Sequence, residues 1–212
     1  LDASLFILLN PTYSQGYYLR GLAYAQTGDF DRALADLDRA AVLPASDTNF
    51  TISLYSVRSI IHAQLGDTEG ALADLNAGIA AAPDAAELYL SRADLYAALG
   101  ELDKAQTDYD RALELDDQLA DAYAGRGRLH LRQDDPAAAL ADYARALALN
   151  PDDAEAYARR ASIYLAQGET DAALADLDAA LRLAPNEAGL YLTRGAALAQ
   201  ANRQPEAAAA YA

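Results

Sequence analysis

The sequence predicts an all-α solenoid of helix pairs, and three observations predict it. The first is a skeleton that recurs at a constant step along the chain. Tyr157, Arg160, Ala161, Tyr164, Gly168, Ala173, Asp176, Leu177, Ala180 and Pro185 return one step earlier as Tyr123, Arg126, Gly127, His130, Asp134, Ala139, Asp142, Tyr143, Ala146 and Pro151. They return again as Tyr89, Arg92, Ala93, Tyr96, Gly100, Ala105, Asp108, Tyr109 and Ala112. A fixed step over so many positions signals stacked repeats. The second observation is spacing. Tyr157, Ala161 and Tyr164 are four and three apart, which puts them on one helix face. The third is punctuation, with a glycine midway through most copies and a proline closing several of them.

Taken in order, residues 1–13 read as the end of a truncated repeat, with a helix over 2–9. Pro11 precedes Tyr17 by the same distance that Pro151 precedes Tyr157. Repeat 1 spans 14–51, with helices over 15–27 and 30–43. Gly28 takes the left-handed conformation of a helix stop, and Pro44 ends the second helix because it lacks the N–H a helix interior needs. The next copy is late: the step from Gly28 to Gly66 is four longer than the step from Gly66 to Gly100. The four extra positions lie within 44–51. These are turn formers, and Ser46, Asp47, Thr48 or Asn49 can cap the helix expected over 51–65. Asn49-Phe50-Thr51 matches a glycosylation acceptor and is read as a chance match at a helix cap. Repeat 2 spans 52–85, repeat 3 86–119, repeat 4 120–153, repeat 5 154–187 and truncated repeat 6 188–212. Their helices are expected over 68–81, 86–99, 102–115, 120–133, 136–149, 154–167, 170–183, 188–201 and 205–212. Beginning with Leu rather than Met, and inside a helix, the chain reads as a segment of a longer or processed protein.

The step and residue types resemble the tetratricopeptide repeat (TPR). That family has about 34 residues per unit, which is also the step from Tyr123 to Tyr157. It places aromatic, small and aromatic residues on helix A, small residues on helix B and a closing proline. The resemblance covers nearly the whole chain. It implies a right-handed superhelix of antiparallel helix pairs and a binding scaffold. A lone hairpin cannot bury its apolar face, so neighbours must stack. The aromatic stripe reads as core packing rather than as a cofactor site.

One feature departs from the simplest TPR pattern. The seventh position, usually aliphatic, is always Arg: Arg20, Arg58, Arg92, Arg126, Arg160 and Arg194. The twenty-third is always Asp: Asp36, Asp74, Asp108, Asp142 and Asp176. Each Arg is expected to bond an Asp of its own or the preceding repeat. The planar guanidinium fork suits a carboxylate, and the pairs would fix helix register.

The chain reads as non-catalytic and as needing no cofactor. It has no Cys, no Met and a formal net charge of −16. That excludes disulfides, thiolate metal sites and Cys nucleophiles, and it opposes nucleic-acid binding, which needs clustered cations. No apolar run approaches the ~18 residues of a membrane span, so membrane insertion is not expected. His62 and His130 stand where other copies have Tyr24, Tyr96 and Tyr164, and read as substituted core aromatics. They lie two repeats apart, too far to share a metal whose bonds are ~2 Å. Acidic pairs such as Asp116-Asp117 and Asp152-Asp153 sit before helix N-termini, where negative charge is favoured.

A protein or peptide is therefore the expected ligand. In TPR arrays helix A lines the concave groove. Carried onto this chain, that surface includes Tyr18, Leu19, Leu22, Val57, Ile60 and Leu90 as apolar candidates, and Arg128, Arg132 and Arg159 as candidates for an acidic group. Arg128 and Arg132 share a face at i, i+4. Glu155 lies four before Arg159, and Asp94 holds Arg128's position one repeat earlier, which favours local neutralisation. The family's carboxylate clamp, with Lys at the fifth and Asn at the ninth position, is not matched. The second expectation is an architectural role, spacing other domains or associating end to end. The end contacts would run through Leu5, Phe6, Leu8 and Leu9 on one side and Leu190, Leu198 and Tyr211 on the other.

Overall fold

In the computed structural model, which describes residues 3–201 and 203, the sequence forms helices joined by short connectors, with no strand among the described residues. The residues divide into two compact units, 1–115 and 116–212. The first unit holds α1 (Ala3–Leu9), α2 (Ser14–Gln26), α3 (Phe30–Ala41), α4 (Thr48–Gln64), α5 (Thr68–Ala81), α6 (Ala86–Leu99) and α7 (Leu102–Leu115). The second holds α8 (Ala120–Arg132), α9 (Pro136–Leu149), α10 (Ala154–Gln167), α11 (Thr170–Leu183) and α12 (Ala188–Gln200). The helix expected over 205–212 falls outside the described residues.

Within each pair, mid-helix residues meet across a short connector, so the helices run antiparallel. Asp29, Asp67 and Asp135 cap α3, α5 and α9 by accepting from Arg32, Gly70 and Ala138 N–H. Before these second helices the chain turns through a left-handed residue: Gly28, Gly66, Gly100 and Gly168 have φ of +77, +76, +80 and +79°. Nothing lies within 4 Å of a Cβ built at Gly28 or Gly168, so backbone conformation rather than space selects glycine there. Asp134 takes the same position between α8 and α9, with φ 61°.

The extra residues in repeat 1 do not simply lengthen a loop. Asp47 caps a helix that starts at Thr48, three positions ahead of the expected 51, and its carboxylate accepts from Phe50 N–H at 2.8 Å. The helix α4 is 17 residues long, against 13 or 14 for the other helices that open a pair. Four positions are close to one helical turn of about 3.6, so the insertion adds length without turning the buried face away. The Asn49-Phe50-Thr51 match lies in this first turn, with Phe50 buried. α3 stops at Ala41, two positions short of the expected 43, ahead of Pro44.

The core of each pair forms where small residues let the helices approach. Ala33, Leu37 and Ala40 are buried with Phe50, Leu54 and Ile61 in the first unit. A Cβ at Gly21 would meet Leu37 Cγ at 2.9 Å, so α2 and α3 touch almost backbone to side chain. In the second unit Ala161, Ala173, Leu174, Leu177 and Ala180 form a cluster with Leu190, Ala197 and Leu198 of α12. Leu190 and Leu198 are thus buried against α10 and α11, and this corrects their expected place on a sticky end; Tyr211 lies outside the described residues. Leu5, Leu8 and Leu9 are exposed, as expected.

The aromatic stripe is less buried than a pure core would be. Tyr123, Tyr157 and Tyr164 are half-buried. The fourth-position rings of Tyr17, Tyr89 and Tyr191 donate to the carbonyls of Pro11, Pro83 and Pro185 at 3.1–3.2 Å. Two guanidinium groups approach each of three of these rings: Arg20 and Arg39 at Tyr17, Arg92 and Arg111 at Tyr89, Arg126 and Arg145 at Tyr123, at 5.6–6.0 Å. The ring is therefore a polar-tipped wedge between pairs.

Candidate functional site

The Arg–Asp rows are the main polar feature of the interior. Arg20, Arg92, Arg126 and Arg160 each donate from Nε and Nη2 to both oxygens of Asp36, Asp108, Asp142 and Asp176, at 2.7–2.9 Å. In these four pairs the partner is 16 residues ahead, in the same repeat. The Asp carboxylates are buried, whereas the Arg side chains keep 19–27% of their surface exposed.

A second contact runs backwards by the same interval. Arg92 Nη1 donates to Asn76 at 2.6 Å, Arg20 Nη1 reaches Ser4 at 3.5 Å, and Arg194 Nε donates to Asp178 at 2.6 Å. For Arg58 the backward interval, to Asp38, is longer by the four inserted positions. Its Nη2 lies between Asp38 at 3.0 Å and Asp74 at 3.1 Å. This is the weakest rung: Arg58 Nε and Asp74 Oδ2 are buried without hydrogen-bond partners. Burial pushes the Asp74 carboxyl above the usual range, against the pull of Arg58 and His62. His62 Nε2 lies 3.7 Å from Asp74, and His130 Nε2 3.5 Å from Asp142, so both histidines extend the rows. Among the described residues no group of three or more His, Cys, Asp or Glu is placed to hold a metal ion.

The groove candidates fall into two sets. In the first unit Leu19 and Ile60 are more than half exposed, while Tyr18, Leu22, Val57 and Leu90 are half-buried. Tyr18 and Val57 pack on the core cluster, and Tyr18 meets Phe50 edge-on with ring centres 5.4 Å apart. Tyr18 and Leu19 line a cleft of about 300 Å³ with Gln15, Asp47, Asn49, Phe50 and Ser53, built on the added turn of α4. Ile60 lines another of about 200 Å³ with Leu75 and Leu95. Leu22 and Leu90 line neither of these clefts.

In the second unit Arg128, Arg132 and Arg159 are exposed. Glu155 accepts from Arg159 at 3.2 Å, which is the expected local neutralisation. Arg159 and Glu155 also stand at a cleft of about 630 Å³ with Ser162, Leu177 and Leu190.

Sequence reasoning gave no role to Tyr143. It is 1% exposed, and its hydroxyl has no hydrogen-bond partner. Its repeat-3 counterpart, Tyr109, donates to Asp94 at 2.5 Å. The signal was in the sequence: Asp94 becomes Arg128 one repeat later, which replaces an acceptor with a donor. Burial pushes the Tyr143 hydroxyl up to about 12.

Fold and surface together define a helical-hairpin repeat scaffold that offers helix faces, clefts and paired charges. The chain is a tetratricopeptide repeat protein: family models described as tetratricopeptide or TPR repeats match residues 6–49, 93–134 and 126–188. No curated protein matches it in sequence. Among solved structures it is similar to a thermophilic TPR protein of Thermus thermophilus, at 26% identity over 87% of this chain and 98% of that one, with a TM-score of 0.64. It also shares its fold with pilF of Pseudomonas aeruginosa, at 18% identity over 93% and 88% with a TM-score of 0.80. A TPR protein of Parabacteroides merdae superposes at 22% identity over 93% and 77%, with a TM-score of 0.72. None of the described helices is long and apolar enough to cross a membrane.

Proposed function

We propose that the chain is a non-catalytic scaffold that binds a protein or peptide along its helix-A faces, with apolar anchoring in the first unit. The observation that carries this reading is the exposure of Leu19 and Ile60, 58% and 55%, on helices that otherwise turn their large side chains inward. Each stands beside a cleft: that at Leu19 is lined by apolar and polar residues with Asp47 the one charged group, and that at Ile60 by apolar residues and two serines. A segment with apolar side chains spaced to enter both clefts would remove this surface from water, at about 25 cal/mol per Å². The TPR relatives support the scaffold role.

The test is capture of a partner with the purified chain, followed by affinity measurement on Leu19→Asp/Ile60→Asp. We expect lost binding with unchanged helicity. Unchanged affinity in a folded variant overturns the apolar-groove reading.

A further inference from the structure

The repeats fill the seam between successive helix pairs in two ways. Tyr109, Tyr143 and Leu177 hold one repeat position, and the matching residues of the next repeat are Ala122, Ala156 and Leu190. Tyr109 and Tyr143 are 1% exposed, and Tyr143 shares a core cluster with Ala156. Leu177 shares one with Leu190. A tyrosine beside an alanine is thus exchanged for two leucines. The exchange removes a ring that, in repeat 3, runs from the core to the surface: the Tyr109 hydroxyl donates to exposed Asp94 at 2.5 Å.

Leucines at this position line clefts. Leu177 and Leu190 line the cleft of about 630 Å³ between α10 and α12, and Leu75 lines the one of about 200 Å³ at Ile60. The larger falls within the ~300–1,000 Å³ of sites that take small organic groups. Its walls carry short residues, Ala158 on α10 and Gly189 on α12, and a Cβ built at Gly189 would meet nothing closer than 3.6 Å. The residue matching Asp94 is Ser162, which also lines this cleft. Its hydroxyl donates to the Ala158 carbonyl at 3.0 Å, so what it offers a ligand is an acceptor. Arg159 adds a guanidinium, the group that Arg92 and Arg111 bring to the Tyr89 ring at 5.6 and 5.9 Å.

We propose that this cleft binds a tyrosine side chain of a partner peptide, much as the chain holds its own Tyr109 two repeats earlier. The ring rests on Leu177 and Leu190, and the hydroxyl donates to Ser162. A neutral phenol fits better than an anion, because Glu155 and Glu187 outnumber Arg159 in the lining. The smaller cleft has Ile60 at the position of Ser162 and offers no hydroxyl there. That the ring belongs to a peptide rests on the scaffold reading above. The cleft's preference does not, and small probes test it without a partner.

The probe is N-acetyl-tyrosine amide, titrated into the chain with ¹³C-labelled leucine methyl groups. The phenylalanine, leucine and phosphotyrosine analogues are the comparisons. We expect saturable shifts at Leu177 and Leu190, with the tyrosine amide binding tightest. Ser162→Ala, at an exposed position, should weaken the tyrosine amide about fivefold, the size of one neutral hydrogen bond, and leave the phenylalanine amide unchanged. Leu177→Tyr/Leu190→Ala rebuilds the pairing of Tyr143 with Ala156 and should abolish binding, since the chain's own ring then fills the site. Gly189→Phe blocks the cleft from α12 and replaces that variant if it does not fold, as circular dichroism reads. No saturable shift at Leu177, equal binding of the leucine amide or tighter binding of the phosphotyrosine amide overturns the proposal. So does an unchanged tyrosine-to-phenylalanine ratio in Ser162→Ala, or unchanged binding in a folded, cleft-filled variant. Failure here leaves the apolar-groove test standing, and failure of that test leaves this one.

Discussion

Arg126 donates from Nε to Asp142 Oδ2 at 2.9 Å and from Nη2 to Asp142 Oδ1 at 2.8 Å, so both oxygens of a buried carboxylate are held by one guanidinium. Removing either partner strands the other. Asp142→Ala should destabilise the chain by about 3 kcal/mol, at the low end for a broken buried pair because Arg126 is partly solvated. A double-mutant cycle with Arg126→Ala should show a coupling of at least ~1 kcal/mol. Chemical denaturation reads both, and a coupling near zero would remove the register-fixing role.

Asp74 should matter less than Asp142. Arg58 Nη2 approaches only one of its oxygens, at 3.1 Å, and burial raises its pKa. A raised carboxyl pKa means that the folded state favours the protonated form. That contribution is present below the unfolded value of about 3.9 and is lost as pH rises through the folded value. At neutral pH the ionised group therefore works against the fold, and Asp74→Asn should cost no more than about 1 kcal/mol, well below Asp142→Asn. Equal losses in the two variants would contradict this ranking.

Arg160 has Asp176 ahead of it, but Ala144 stands 16 residues behind, where Arg92 finds Asn76 and Arg194 finds Asp178. Ala144 is exposed. Ala144→Asp should add the missing rung and stabilise by about 0.5 kcal/mol, an effect that salt diminishes. Thermal melts at low and high salt check it; destabilisation at both would mean that the backward contact carries no energy.

Asp134 holds φ 61° at a position where four other connectors use glycine. Left-handed backbone costs an L-residue roughly 1 kcal/mol, somewhat less for Asp. Asp134→Gly should therefore raise stability by about 0.5 kcal/mol, whereas Gly168→Ala should lower it by about 1 kcal/mol. Melting temperatures of the two variants should move in opposite directions.

Burial pushes the Tyr143 hydroxyl up to about 12 in the folded chain, because a buried phenolate is disfavoured. The unfolded chain ionises at about 10. The stabilisation is complete below the unfolded value and disappears as pH rises through the folded one, on the order of 1–2 kcal/mol. Tyr143→Phe should flatten this alkaline fall relative to the parent chain. An identical pH profile would place the hydroxyl in contact with water.

Much of this was written locally. The constant repeat step, Gly28 and Gly168 as helix stops, and the Arg and Asp positions follow from spacing alone. A helix places a residue by its number, and a repeat carries one placement into every copy. The all-α repeat fold needed no more than that. What the spacing could not decide was where each interior group finds its partner. The four residues inserted before α4 look like loop, yet Asp47 caps them into an added turn, because a free carboxylate satisfies first-turn N–H groups. Leu190 and Leu198 look like an open end, yet they close onto α10 and α11, because which side of a helix is covered depends on the neighbour. Tyr143 sits at the same repeat position as Tyr109, and only the packed structure shows that one hydroxyl meets a carboxylate while the other is buried with no acceptor. Local spacing assigns a residue to a face; burial and hydrogen-bond satisfaction are properties of the assembled surfaces, and those exist only after the helices have met.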